Sequence, residues 1–343
     1  MNVALASSVP LARGEAIGRY VVIGLVGRGA MGDVYSAHDP DLNRRVAIKL
    51  LRIRRGGTVG ATDGKSRLMR EAQAIAKLSH PGVVVVHDVG PYKDGVFIAM
   101  EFVEGGTLTF WMHAQPRDWT EILPVFLAAG RGLQHAHEAN LVHRDFKPDN
   151  VMVRKDGQVR VMDFGLVRYV DMVDDDEAPA AAQSDLAYDN TLDLSRPRQA
   201  QGLRDAAQKP ITRLTQTGTM LGTPAYMAPE QFMGGTVDAR TDQFAFCVAL
   251  YEALFGARPF EGSNLRELHN NVLDGRIKAI PRGTRVPRAI GGVLRRGLSV
   301  APAERYPSMA DLLAELEANA SPDRWRAMTA AAASVLRWVR PSR

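Results

Sequence analysis

Short apolar runs of strand-like composition dominate the first hundred residues. Two of them flank a glycine-rich turn in RYVVIGLVGRGAMGDVYSAHD, RRVAIKLLRI supplies a third, and GVVVVHDVG and GVFIAMEFV supply two more. Between the third and fourth runs, SRLMREAQAIAKLS predicts a helix, because its apolar residues recur at helical spacing: Leu68, Ala72, Ile75 and Ala76. The pattern therefore predicts a mostly β lobe that contains one helix.

The periodicity changes after the segment EGGTL. Longer apolar patterns with helical spacing follow in EILPVFLAAGRGLQHAHEAN, TDQFAFCVALYEALFG and MADLLAELEANA. We therefore predict an α+β protein with a small β-rich lobe over about 17–103 and a larger α-helical lobe over about 104–318. Residues 1–16 are interpreted as a flexible leader.

Two further segments differ from these lobes in composition. Between Tyr169 and Ser195 there are eight acidic residues and no Lys or Arg, and basic residues follow as far as Arg213. Residues 171–210 are predicted to be a disordered insert, because they contain too few large apolar side chains to offset the chain entropy of folding. Residues 319–343, rich in Ala and Arg, are either an amphipathic helix near a membrane or partner, or a terminal helix.

Composition narrows the class of protein. Of the 343 residues, 45 % are hydrophobic and 24 % charged, which is typical of a soluble globular protein. The net charge of +5 is spread along the chain without a nucleic-acid-binding motif, so no nucleic-acid partner is expected. The single cysteine, Cys247, is interpreted as a buried packing residue in a reducing compartment. We found neither a signal peptide nor a transmembrane segment, and we expect a cytoplasmic location.

The glycine-rich turn is the first candidate for chemistry. Gly27, Gly29 and Gly32 match the G-x-G-x-x-G spacing, which lets backbone N–H groups approach phosphate oxygens. Dinucleotide-binding folds have the same spacing before a helix, but the β-like DVYSAHD favours a hairpin over a nucleotide, and the loop alone also fits a plain turn. Lys49, at the end of VAIK, would reach phosphates from a strand. It needs an anionic partner, and Glu71 is the candidate unless it is a solvated helix charge.

The segment LVHRDFKPDN, residues 141–150, concentrates polar side chains. Asp145 can accept the proton of an attacking hydroxyl, and Lys147 can neutralise charge on a transferring phosphate. Asn150, and Asp163 just after a later strand, offer the oxygen ligands that Mg²⁺ prefers. Each residue alone also fits a helix cap or a turn, so the functional interpretation depends on their joint order and spacing.

The ordered set resembles the eukaryotic-type protein kinase superfamily over residues 17–318, and in style the bacterial (Hanks-type) serine/threonine kinases. GRGAMGDV looks like the glycine-rich loop, VAIK the strand lysine and HRDFKPDN the catalytic loop. DFG looks like the magnesium motif, and GTPAYMAPE the loop on the substrate side. The resemblance implies a bilobal protein kinase fold that uses ATP and Mg²⁺.

Individual roles follow from the resemblance. It implies Asp145 and Lys147 as catalytic residues, and Asn150 and Asp163 as metal ligands. The nucleotide-binding residues that it implies are Val26, Gly27, Arg28, Gly29, Ala30, Met31, Gly32, Asp33, Val34, Ala47, Lys49, Glu71, Glu101 and Val103.

The resemblance also implies contacts with adenine and contacts within the fold. Glu101 and Val103 would offer a backbone carbonyl and amide to adenine behind the gatekeeper Met100. The two structural contacts that the resemblance also implies are a brace on the catalytic loop from Asp242 and a pair between Arg305 and Glu230.

The substrate class also comes from the resemblance. Lys147 and the GTPAY segment match the serine/threonine branch, so the implied reaction transfers the ATP γ-phosphate to Ser or Thr hydroxyls of proteins. Thr215 and Thr217 are the implied activating phosphosites, modified in trans within a kinase-domain dimer, with Arg144 as the partner of the phosphate. The acidic insert either competes for that basic surface or is inert.

Two departures and two alternatives remain. Phe146 replaces the usual leucine and should face the core, whereas Cys247 stands where glycine is common and puts close helix packing in doubt. A pseudokinase scaffold would lack the lysine, the catalytic aspartate or the metal aspartate, and all three are present. A small-molecule phosphotransferase of the same fold would generally lack GTPAYMAPE.

Overall fold

The computed structural model describes residues 10–29, 32–51, 61–93, 95–164 and 223–320. The strands are, in chain order, β1 (Ala16–Ile17), β2 (Tyr20–Gly29), β3 (Gly32–Asp39), β4 (Arg44–Leu51), β5 (Val86–Tyr92), β6 (Gly95–Glu101), β7 (Gly105–Thr107), β8 (Val151–Arg154) and β9 (Val159–Val161). The helices are α1 (Ala61–Ala76), α2 (Leu108–His113), α3 (Trp119–Glu138), α4 (Pro229–Phe232), α5 (Ala239–Phe255), α6 (Leu265–Leu273), α7 (Arg288–Gly297) and α8 (Met309–Asn319).

Strands β1 to β6 form one antiparallel sheet in the order β1-β2-β3-β4-β6-β5, and with α1 they make the N-lobe. Residues on alternate positions of a strand face opposite sides of the sheet. On β4, Ile48 therefore packs in a small cluster with Tyr20 and Tyr35, while the opposite face of the sheet joins α1 through Leu68 and Ala72 in the main core. The mostly β lobe with one helix is confirmed.

The C-lobe comprises β7–β9 and α2–α8, and α5 runs through its centre. Residues 241–251 of α5 are all buried, as expected of a helix that is apolar on every side. The helix begins where the Asp238 carboxylate accepts a hydrogen bond from Arg240 N at 2.7 Å. It ends at Gly256, whose φ of 72° is the left-handed conformation common at helix ends. The α+β bilobal fold class is confirmed.

A three-stranded sheet, β7-β8-β9, connects the two lobes. Val161 on β9 forms a bridge with Val83, which precedes β5, and Val84 N donates to Val161 O at 2.9 Å. At Gly105 on β7, an added Cβ would lie 2.1 Å from Val153 O, so this close strand approach requires glycine.

Several boundaries differ from the prediction. The strand predicted over GVVVVHDVG begins only at Val86, because the preceding residues bond to β9 of the other lobe instead of continuing the sheet. Helix α1 begins at Ala61, five residues before the predicted start. Strands β7 and β8 and helices α6 and α7 were not predicted, since their apolar patterns are too short to register.

Both departures from the kinase pattern have a structural outcome. Phe146 is fully buried against His143 and Phe246, which confirms that it faces the core. Cys247 is also fully buried, and a Cβ added at Gly297 on α7 would lie 2.3 Å from its sulfur. The doubt about close packing was wrong, because the neighbouring helix carries the glycine that makes room for the thiol.

Candidate active site

The segment 143–150 follows α3, and Asp242 of α5 holds its backbone. Asp242 is fully buried, and its carboxylate accepts His143 N at 2.7 Å and Arg144 N at 2.8 Å. His137 Nε2 on α3 lies 2.7 Å from the same carboxylate. Arg144 has a left-handed φ of 66°, a conformation that costs a non-glycine residue about 1–3 kcal/mol. The buried carboxylate therefore stabilises a strained backbone immediately before Asp145.

Asp145, Lys147 and Asn150 form one polar cluster. Lys147 Nζ lies 2.7 Å from Asp145 Oδ2. Asn150 Nδ2 donates to Asp145 O at 2.7 Å and to Asp145 Oδ2 at 3.1 Å. Within the described residues, no hydrogen bond reaches Asp145 Oδ1. One carboxylate oxygen is thus held by two donors, while the other is available to a ligand.

Lys49 and Asp163 form the second charged pair of the site. Lys49 Nζ lies 2.8 Å from Asp163 Oδ2, and the lysine side chain is 6 % exposed. Burial alone would raise the pKa of Asp163, but the attraction and hydrogen bond of Lys49 outweigh it and lower that pKa. Asp163 has a φ of 61°, a second left-handed residue in the site. In the described part of the chain, the pair between Lys49 and Glu71 suggested by the sequence is not formed, because Asp163 takes the lysine instead.

The glycine-rich hairpin joins β2 to β3 beside Lys49. Val34 pairs with Lys49 across β3 and β4. A Cβ added at Gly27 would meet no atom within 4 Å, whereas one added at Gly32 would lie 1.8 Å from Leu50 O. Gly32 also has a φ of 149°. The first glycine therefore leaves open space, and the last is required by the hairpin itself.

The remaining residues assigned to the hairpin are distributed as follows. Arg28 on β2 lies opposite Asp33 on β3, and Arg28 Nε lies 3.7 Å from Asp33 Oδ1. Val26 is 57 % exposed. Ala30 and Met31, at the tip, lie outside the described residues.

The end of β6 leads into the link between the lobes. Ala47 on β4 pairs with Met100, and Val103 is buried two residues after Glu101. Behind Met100, a narrow apolar cavity extends between α1 and the sheet and reaches Phe164. The residues assigned to adenine thus follow one another along the end of β6 and the link, and Met100 lies beside the cavity.

The segment after GTPAY is anchored in the C-lobe interior. Arg305 Nη1 and Nη2 each lie 2.8 Å from a different oxygen of Glu230, and Thr241 Oγ1 donates to the same carboxylate at 2.7 Å. Burial would raise the pKa of Glu230, but Arg305 lowers it. Gln231 Nε2 donates to Arg144 O at 2.9 Å. This segment is therefore fixed to the backbone next to Asp145.

The donor set suits a hard divalent cation. Asn150 uses its amide nitrogen on Asp145, which leaves its carbonyl oxygen as a ligand, and Asp163 supplies a carboxylate. Met162 N donates to Asn150 O at 2.9 Å, so the two ligand-bearing segments are bonded to each other. A site with only two protein ligands fits Mg²⁺, which usually binds nucleotide phosphates and water as well.

Comparison with protein families matches the chain twice. The family described as "Protein kinase domain" matches residues 20–183, and that described as "Protein tyrosine and serine/threonine kinase" matches residues 201–316. The chain belongs to the protein kinase family. ATP and a divalent metal are the general requirements of these kinases.

Two curated proteins similar to this kinase chain come from bacteria. It is 34 % identical to the DNA damage-responsive serine/threonine-protein kinase RqkA of Deinococcus radiodurans, over 92 % of this chain and 42 % of the relative. It is 30 % identical to the serine/threonine-protein kinase PrkC of Bacillus subtilis, over 90 % of this chain and 41 % of the relative. The chain thus spans about two fifths of the length of these relatives.

A solved structure is similar to this kinase chain over most of its length. The kinase domain of PknI from Mycobacterium tuberculosis matches with a TM-score of 0.60 and 25 % identity, and the match covers 91 % of this chain and all of that domain.

Two contacts of the site had not been predicted, and three predicted features lie beyond the described residues. Gln231 and His137 were missed, although Gln231 directly follows the APE motif and could have been found from it. Thr215, Thr217 and the insert 171–210 lie outside the described residues. In the portion that the structure covers, no helix has the length and apolar character needed to span a bilayer.

Proposed function

We propose that this chain is an active serine/threonine protein kinase domain that transfers the γ-phosphate of ATP to Ser or Thr hydroxyls of protein substrates. The observation that carries the proposal is the state of Asp145. One of its oxygens is held by Lys147 and Asn150, and within the described residues the other takes no hydrogen bond. That oxygen can accept the hydroxyl proton and orient the attacking oxygen.

The residues around Asp145 bind the phosphates, the metal and adenine. Lys147 neutralises charge that develops on the transferring phosphoryl group, and Lys49 offers a buried cation to the α- and β-phosphates. The open backbone at Gly27 allows phosphate oxygens to approach the hairpin. Mg²⁺, held by Asp163 and Asn150, would supply charge neutralisation between the phosphates. Adenine contacts the backbone of Glu101 and Val103 beside Met100.

Phosphate binding requires Lys49 to change partner. Its contact with Asp163 in the structure occupies both a phosphate ligand and a metal ligand. We infer that Asp163 would hold the cation, while Lys49 would bind the phosphates and pair with Glu71, so that the two side chains would no longer contact each other. Glu71 is half-buried on α1, which supports this role.

Autophosphorylation at Thr215 and Thr217 is the proposed mode of activation, in trans between two copies of the kinase domain. The support comes from Arg144, whose Nε is buried and, among the described residues, has no hydrogen-bond partner. A buried donor without an acceptor costs about 1–3 kcal/mol, so an anionic phosphate would stabilise it. Because ATP is the substrate, we propose a cytoplasmic location for the domain.

The direct test combines the purified chain with Mg²⁺, ATP and a generic protein substrate, followed by phosphosite mapping. Asp145→Asn should reduce phosphoryl transfer at least about a thousandfold without changing ADP affinity, because its role lies in the transition state. Asp274→Asn, at an exposed aspartate that pairs with Arg276 at the surface, is the matched control and should retain activity.

Two outcomes would redirect the proposal. Equal activity in wild type and Asp145→Asn would exclude Asp145 as the base. Intact ADP binding with no transfer in either chain, even after mixing with an active kinase, would favour a binding scaffold. Phosphate appearing on Asp145→Asn only when wild type is added would support modification of Thr215 and Thr217 in trans.

A further inference from the structure

Two arginines hold the side chain of Glu101 at the end of β6. Arg154 Nη1 lies 2.5 Å from Glu101 Oε1, and Arg160 Nε lies 3.2 Å from Glu101 Oε2. The three side chains are 19 %, 30 % and 12 % exposed for Glu101, Arg154 and Arg160. Each carboxylate oxygen therefore has its own guanidinium donor, in a partly desolvated position where charge-assisted hydrogen bonds are strong.

Both arginines belong to the β8–β9 hairpin of the C-lobe, whereas Glu101 ends the central N-lobe sheet. The same hairpin also holds the far side of the interlobe link. Gly105 pairs with Arg154 across β7 and β8, and Lys155 N donates to Glu104 O at 3.2 Å. The short link 102–104 is thus fixed at both ends by one hairpin, by side chains at one end and by backbone at the other.

Arg160 extends the contact to the loop after α1. Its Nη1 also donates to Pro81 O. Glu101 N donates to Val85 O at 2.8 Å, and Val161 N donates to Gly82 O at 2.8 Å. The orientation of the Glu101 peptide is therefore coupled to the hairpin and to the loop that carries α1.

We propose that Arg154 and Arg160 are positioning residues for adenine recognition. By holding the Glu101 side chain, they fix the direction of the Glu101 carbonyl and the Val103 amide, so that adenine meets a preorganised edge. The inference rests on the proposed function, since it concerns the nucleotide site of the kinase. It adds two C-lobe side chains that have no direct contact with the nucleotide in this scheme.

The charges around Glu101 predict which substitution disturbs the interlobe link most. Arg154 Nε also lies 3.6 Å from Asp156, so the group contains two guanidinium groups and two carboxylates. Loss of either arginine leaves Glu101 one cationic partner. Glu101→Gln instead removes the carboxylate that both guanidinium groups contact and leaves Asp156 beside Arg154 alone, so this change should disturb the link most.

The experiment measures adenosine affinity by calorimetry and the steady-state constants for ATP. Arg154→Met and Arg160→Met should each raise the Kd for adenosine about threefold, and the double variant about tenfold, because preorganisation is lost in steps. The KM for ATP should rise in parallel, while kcat stays within about twofold because Asp145 and Lys147 are untouched. Arg160→Lys, which keeps the charge, should recover part of the affinity.

Arg131→Met is the matched control. Arg131 also pairs with a glutamate, Glu317, but joins α3 to α8 away from the link. Adenosine affinity that is unchanged in the double variant, or lowered equally in the control, would overturn the positioning role and leave only structural ion pairs. A wild-type chain that binds no adenosine would instead refute the proposed nucleotide site, so the two failures are distinguishable.

Discussion

Two ion pairs in this kinase domain, one buried and one partly buried, differ in how completely their hydrogen bonds are made. In the C-lobe, Arg305 is 1 % exposed and donates to both oxygens of Glu230. It also donates to the carbonyl oxygens of Ser299 and Arg240 at 2.9 Å each, and of Val300 at 3.2 Å. Each N–H of this guanidinium therefore has an acceptor, and the pair has no donor left for a ligand. We call it the closed pair.

In the cleft, Lys49 and Asp163 share one contact of 2.8 Å. Asp163 adopts a left-handed backbone, and Lys49 can exchange its carboxylate partner for a phosphate. The difference teaches that burial of a charge does not by itself mark function. A buried pair with all its hydrogen bonds made supports the fold, whereas a partly buried pair with few bonds keeps its charges available for a substrate.

The largest expected effect comes from breaking the closed pair. Arg305→Met should lower the free energy of unfolding by about 3–5 kcal/mol, because it leaves Glu230 buried without its cation and removes the hydrogen bonds that three carbonyl oxygens accept from the guanidinium. Urea unfolding followed by circular dichroism measures it. Arg131→Met, at an exposed pair, should cost about 1 kcal/mol or less. A similar loss in both variants would mean that the C-lobe pair is not special.

The sequence predicts the contact between Arg305 and Glu230, the closed pair, but not the contact between Lys49 and Asp163, the open pair. Arg305 and Glu230 were matched from motifs, and the structure joins them. Lys49 was matched to Glu71, but the structure pairs it with Asp163. A motif specifies which charges converge on a site, and it does not specify which contact forms when no ligand is present, because that depends on small differences between competing carboxylates.

The fold, like the ion pairs, was predicted in part. The strand and helix periods predicted β2 to β6, α1, α3, α5 and α8, because apolar residues recur in each at the spacing of a strand or a helix. Strands β7 and β8 are held mainly by backbone bonds and by the close approach at Gly105, which leave little periodic signal. The sequence also could not show that Gly297 makes room for Cys247, since this depends on which helices contact each other.

A second prediction tests how tightly α5 and α7 pack against each other in the C-lobe. Gly297→Ala should lower the free energy of unfolding by about 1–3 kcal/mol, because the new Cβ would lie 2.3 Å from Cys247 Sγ. Gly292→Ala on the same helix, where an added Cβ meets nothing within 4 Å, is the control and should be neutral or stabilising. Adding Cys247→Gly to Gly297→Ala should recover part of the loss. Failure of this rescue would show that the two helices do not compensate each other.

A third prediction concerns acid. Burial and Arg305 act oppositely on Glu230, and the net result is a lowered pKa. A carboxylate with a lowered folded pKa contributes stability above its unfolded pKa, near 4.5, and loses it as pH falls towards the folded value. Between the unfolded and the folded pKa, Glu230→Gln should therefore show a shallower decline of unfolding free energy with falling pH than wild type, by up to about 1.4 kcal/mol per pH unit. Parallel declines would exclude Glu230 as a source of acid sensitivity.

The smallest expected change in stability belongs to the open pair. Lys49→Met combined with Asp163→Asn should alter the free energy of unfolding by about 1 kcal/mol or less, because replacing both members of a pair leaves no buried charge unmatched. Phosphoryl transfer should nevertheless be lost. The corresponding Arg305→Met and Glu230→Gln double variant should still be destabilised by about 2 kcal/mol or more, since removing Arg305 also removes the hydrogen bonds that it donates to the carbonyl oxygens of Ser299, Arg240 and Val300. If the two double variants lost equal stability, the contrast between a structural pair and a functional pair would have no energetic basis.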